Sequence, residues 1–190
     1  WERGLLPYVL DMIADILELM IGMSDGETLI MLVLDFVNAF FLLPLWREEY
    51  RYFVAAFRGY FFIWLRVAQG SENGPQLFER ASAQATRFTA SLGPASHLRQ
   101  QNYTGDPWFA IRGTKEQVGN MTATVILVWL ALGFPLAFDE GQRGQQITWV
   151  GRDVNIDTDT QHVAVSIKAE FMKELRATTQ DLMTRSSAHS

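Results

Sequence analysis

The stretch Thr28-Leu29-Ile30-Met31-Leu32-Val33-Leu34-Asp35-Phe36-Val37-Asn38-Ala39-Phe40-Phe41 decides how the chain is read. Residues 28–34 form an unbroken β-branched and aliphatic run. It is short and follows the Ser24-Asp25-Gly26 break, which fits a strand buried on both faces better than a helix. Asp35 closes the run. A carboxylate ending an apolar strand is either hydrogen-bonded there or placed for use.

Working outward, residues 5–23 carry Leu6, Val9, Leu10, Ile13, Ile16, Leu17 and Met20 at helical spacing, predicting an amphipathic helix before the strand. After it, residues 47–66 mix aromatics and arginines around Gly59, as in a hairpin under cover. Residues 69–75 are turn-rich. From Pro75 to Leu92 the pattern is helical, with Leu77, Phe78, Ala81, Ala85, Phe88 and Leu92 on one side and proline in the favourable first turn. Residues 98–111 read as a hairpin with a polar tip at Tyr103-Thr104-Gly105-Asp106-Pro107. Thr114-Lys115-Glu116-Gln117 has the form of a capping box. It opens a helix bearing Val118, Met121, Thr122, Val125, Trp129 and Leu132. Short strands follow at 147–149, 153–156 and 163–167, then an amphipathic helix over 169–184. This order is α+β.

Composition narrows the function classes. The 190 residues are 48% hydrophobic and 13% aromatic, suited to a real core and far from a disordered chain. Without cysteine there are no disulfides or thiolate metal sites. Three scattered histidines (His97, His162, His189) argue against a multi-histidine centre. A net charge of −5 counts against broad nonspecific nucleic-acid binding. Arg47, Arg51, Arg58 and Arg66 are sparse as a phosphate track.

Two runs, residues 28–46 and 121–138, have the length of a bilayer span. Asp35 and Pro44 interrupt the first, and Gly133 and Pro135 end the second, so spanning is disfavoured. A small polytopic membrane protein stays as the minor alternative. No signal peptide precedes the first helix, and an intracellular site, cytoplasm or nucleus, is expected. Phosphate loops, nucleophile elbows and zinc-protease motifs are absent. Asp153-Val154-Asn155-Ile156-Asp157 begins like a calcium loop. Thr158 and Ala164 then stand where glycine and the closing glutamate belong, so it reads as a solvated hairpin.

Several segments occur in a telling order. Residues 32–45, an apolar strand ending in Asp35 followed by Asn38-Ala39-Phe40-Phe41 and Pro44-Leu45, come first. Val67-Ala68-Gln69-Gly70 with Gly74-Pro75 and Leu77-Phe78 follows, then Tyr103-Thr104-Gly105-Asp106, Leu132-Gly133-Phe134 and Trp149-Val150-Gly151. Together, over roughly residues 28–151, they resemble the palm motifs of retroviral and LTR-retrotransposon reverse transcriptases. The resemblance implies a polymerase palm with a central antiparallel sheet backed by the helices 75–92 and 115–132. It divides the chain into 1–27, an N-terminal helical remnant; 28–151, the palm; and 152–190, a hairpin and helix resembling the start of a thumb, with the fingers largely missing. It implies RNA-directed DNA synthesis with two Mg2+ ions, an RNA or DNA template-primer and deoxynucleotides. Further domains of a longer polyprotein, fingers, thumb and possibly RNase H or integrase, are implied too, and no stable membrane partner.

By the same resemblance, Asp35 and Asp106 are catalytic metal ligands, assisted by the carbonyl of Phe36. Phe40 would exclude a 2′-hydroxyl, Gln69 would line the nucleotide pocket, and Tyr103 would support the template-primer. Such chemistry needs converging carboxylates because magnesium takes hard oxygen ligands in near-octahedral geometry. The chain departs from the pattern twice. Gly105 stands where the family has the aspartate bridging both metals, and Asp139-Glu140 lies where a lysine is common. The expected outcome is an impaired polymerase; the alternative is a catalytically dead remnant that only binds nucleic acid or protein. Trp149 is expected in the core.

Overall fold

The computed structural model describes residues 9–103 and 105–187. Helix α1 (Val9–Ile21) leads into β1 (Thr28–Val33). The hairpin β2 (Val54–Phe57) and β3 (Tyr60–Ile63) follows two short 3₁₀ segments, Ala39–Leu42 and Arg47–Tyr52. Next come α2 (Gly74–Ala90), the hairpin β4 (Leu98–Tyr103) and β5 (Asp106–Gly113), and α3 (Lys115–Ala131). Strands β6 (Gln142–Gly144), β7 (Gln146–Trp149), β8 (Arg152–Asp157) and β9 (His162–Ile167) precede α4 (Ala169–Ser187). The fold is α+β, with antiparallel sheets and helices, as expected.

The central sheet has the order β4-β5-β1-β6, antiparallel throughout. Because both faces of β1 are covered, its apolar run is continuous. Leu29, Met31 and Val33 point to one core with Met12, Ile16, Trp108, Ile147, Trp149 and Val154. Leu32 and Leu34 point to the other, with Phe36, Phe78, Phe109, Val125 and Trp129. Helices α2 and α3 back that second face; α1 and the β7-β8-β9 sheet cover the first. Thr114 caps α3 as its sequence predicts: its hydroxyl accepts from Gln117 N–H, and Gln117 Oε1 accepts from Thr114 N–H.

Three expectations shift. In α1 the buried residues are Met12, Ile16, Leu19 and Met20, while Leu10 is exposed; the helix is rotated relative to the predicted stripe, of which Leu6 lies outside the described residues. In α2, Phe78 and Ala85 are buried with Ser82, Thr86 and Thr89, while Leu77 and Phe88 face out. The hydroxyls go inward because β4 presents amides there. Asn102 Nδ2 donates to Ser82 Oγ at 2.8 Å, Gln100 Nε2 donates to the Thr86 carbonyl, and Thr86 and Thr89 also bond carbonyls one turn back. Third, the β2–β3 hairpin forms, around Arg58 and Gly59 at φ 50° and 81° as a two-residue turn requires, but it is not under cover. All eight strand residues are exposed.

The run at 28–46 is a strand and a 3₁₀ turn, and α3 ends at Ala131. Among the described residues no helix is long and apolar enough to cross a membrane. The Asp153–Asp157 stretch is strand β8, after which Asp157 Oδ1 accepts from the N–H groups of Asp159 and Thr160 as a turn former.

Candidate active site

Strand register builds the site. The pairing of β1 with β5 runs from Thr28↔Gly113 to Val33↔Trp108, and Leu34 N–H donates to the Pro107 carbonyl at 3.1 Å. Each pair of numbers sums to 141, so two residues beyond the last pair Asp35 stands across from Asp106. Two carboxylates that are 71 positions apart in sequence thus share one end of the sheet.

Their electrostatics follow from that placement. Like charges opposed across strands repel. The Asp106 carboxyl is pushed up to about 6, first by the protein that displaces water from it and then by the negative charge of Asp35. Asp35 Oδ1 accepts from Phe36 N–H at 2.7 Å, and its carbonyl accepts from Ala137 N–H at 2.9 Å. The latter bond, with Val37 N–H to the Pro135 carbonyl, lays residues 135–137 beside the end of β1. A turn there, closed by Glu140 N–H to the Ala137 carbonyl, carries Glu140 back to the site.

Glu140 is held above the ordinary carboxylate range, chiefly by a hydrogen bond with the Asp35 carboxyl and then by its charge. Glu140 therefore engages Asp35 itself.

The hairpin tip is clamped from two sides. Trp149, buried in the core as expected, donates its indole N–H to the Asp106 carbonyl at 2.9 Å. From α2, the ring of the fully buried Phe78 lies against Gly105, which is itself buried at φ +101°. Thr104 lies outside the described residues.

The other predicted residues divide. Phe40, in the 3₁₀ turn that Asn38 enters in left-handed conformation, meets the Phe78 ring edge-on at 5.9 Å. Phe36 is buried, its ring packed with Phe78, Trp129 and Phe134. Tyr103 packs with the α1-side core, so part of its ring serves the hairpin. Gln69 is exposed in the loop before α2, and none of the described hydrogen bonds ties it to the carboxylates. The residues that sequence reasoning left without a part here are Phe78, as the contact of Gly105, and Glu140, as the partner of Asp35. Only the tertiary path of residues 135–141 could reveal the second.

As a metal centre the donor set is thin. Gly105 contributes no side chain, and among the described residues no three His, Cys, Asp or Glu side chains are grouped to hold an ion. The residues do not fit a pair of metal ions.

No family model matches the sequence, and no curated protein is significantly similar to it. Solved structures do match the fold. A foamy viral protease-reverse transcriptase in complex with RNA/DNA hybrid superposes with a TM-score of 0.63 at 16% identity, covering 84% of this chain and 20% of that one. The foamy viral enzyme in complex with dsDNA gives 0.62 at 17% identity, over 77% and 28%. This chain spans about a fifth to under a third of those chains' length. The fold is reverse-transcriptase-like.

Proposed function

We propose that this chain is the palm portion of an RNA-directed DNA polymerase in which nucleotidyl transfer is lost. The meeting of Asp35 and Asp106, through the register of β1 with β5, carries the reading. Two-metal phosphoryl transfer wants carboxylates delivered from separate strands to one point. Here two are delivered, the third position is Gly105, and the added carboxyl of Glu140 lies beside Asp35, which raises its pKa. Phe40, the carbonyl of Phe36, Gln69 and Tyr103 keep their parts in the nucleotide and template-primer pocket under this reading, as relics of a working site.

Primer extension on an RNA template with Mg2+ is expected to give no product. Robust synthesis by the unmodified chain overturns the loss. Calorimetric titration with Mn2+ gives a second readout that does not depend on further domains. No saturable binding is expected in the natural chain, and binding of an ion pair, removed by Asp35→Asn, contradicts the reading.

A further inference from the structure

We infer that position 105 is closed to any side chain by Phe78, so that the missing carboxylate cannot be restored by one substitution. The inference rests on the reading of Gly105 as the vacated ligand position, but its test does not. A Cβ built on Gly105 would lie 2.7 Å from Phe78 Cε1 and 3.1 Å from Cδ1. Contacts under about 3 Å between carbons lie inside van der Waals range, so one partner has to move.

Neither is free to. Phe78 is fully buried, its ring wedged among Phe36 at 5.7 Å, Phe40 at 5.9 Å and Phe134 at 6.1 Å. A buried ring at that density cannot swing aside without opening a void or striking a neighbour. On the other side, the hairpin tip is tied through the Asp106 carbonyl to the indole of Trp149. The backbone adds a second obstacle, because φ +101° is a conformation that residues with a Cβ rarely adopt. The tip has settled onto α2 in the room that a side chain would need. Phe78 is thus a positioning residue, joining the Phe40 turn to the hairpin that bears Asp106.

A double-mutant cycle separates the contact from the backbone strain. Gly105→Asp, Phe78→Leu and the pair are melted by circular dichroism, with Gly105→Ala as the milder probe if the aspartate variant fails to fold. Backbone strain at 105 persists whichever residue stands at 78; the ring contact does not. The expected result is that either change at 105 lowers the melting temperature, and that adding Phe78→Leu costs less in that background than in the natural chain, or reverses sign. Additive shifts overturn the inference, as does a Gly105→Asp chain that melts like the natural one. Failure here leaves the primer-extension and Mn2+ results standing, so the two readings fail separately.

Discussion

Asp106 is an acid held protonated into the range where most carboxylates are ionised, and this has a consequence for stability. Its folded value of about 6 exceeds its ordinary value of 3.8. Below the ordinary value both states carry the proton, and nothing depends on it. As pH rises toward 6 the unfolded chain releases the proton while the folded chain retains it, so folding is progressively disfavoured; above 6 the penalty is constant. Asp106→Asn removes the effect. Its unfolding midpoint in urea should draw level with the natural chain near pH 4 and exceed it above pH 6. After solvent screening of a partly open site the gain should be up to about 1 kcal/mol. A midpoint difference that does not change across this interval would show that folding does not raise the Asp106 carboxyl.

The β2–β3 hairpin raises a different question at the scale of elements. Val54-Ala55-Ala56-Phe57 and Tyr60-Phe61-Phe62-Ile63 are apolar on both faces, the pattern of strands buried on both sides, yet both faces meet solvent. Phe61 is 80% exposed and Tyr60 71%. The two strands form a sheet of their own, and no lysine, proline or bulge guards their edges. An isolated two-stranded hairpin is marginal in water, and a bare apolar edge invites pairing. Phe61→Lys is expected to lower light scattering from concentrated solutions of the chain without shifting its melting temperature. Unchanged scattering would place the sticky surface elsewhere, with the exposed Phe171, Leu175 and Leu182 of α4 the next to test.

For the whole molecule, the three stretches that the motifs divide share one core. Met12 of α1, Met31 and Trp108 of the central sheet, and Val154 and Ile156 of β8 form a single cluster, all but fully buried. A chain ending after Gly151 would lose β8, β9 and α4, and with them the Val154 and Ile156 side chains from the cluster that holds Met12 and Trp149. Two buried aliphatic side chains are worth roughly 3–6 kcal/mol against exposure, a large share of a typical domain's stability of about 5–15 kcal/mol. The truncated chain should therefore lose its cooperative melt, while the full chain unfolds in one transition followed by the fluorescence of its six tryptophans, of which Trp108, Trp129 and Trp149 are buried. A cooperative melt of the shortened chain would make residues 152–190 an appendage.

Sequence alone determined the elements whose pattern is local. The aliphatic run 28–34 specifies a strand buried on both faces, Thr114 and Gln117 a capped helix, and the polar tip at 103–107 a hairpin, because each signal lies within a few residues. Asp35 and Asp106 were legible as candidates from the segments around them, and Gly105 as a departure. Faces were less legible. The apolar stripe of α1 misplaced Leu10, where Met12 and Leu19 are buried instead, and that of α2 misplaced Leu77 and Phe88, since a helix with polar partners on the facing strand buries its hydroxyls. What only the tertiary structure decided is how the site closes. Register sets Asp35 across from Asp106, the turn at 137–141 returns Glu140 to Asp35, and α2 brings Phe78 onto Gly105. These contacts join residues 27 to 105 positions apart, and no short pattern can encode them. They arise from packing two layers on the two faces of one sheet.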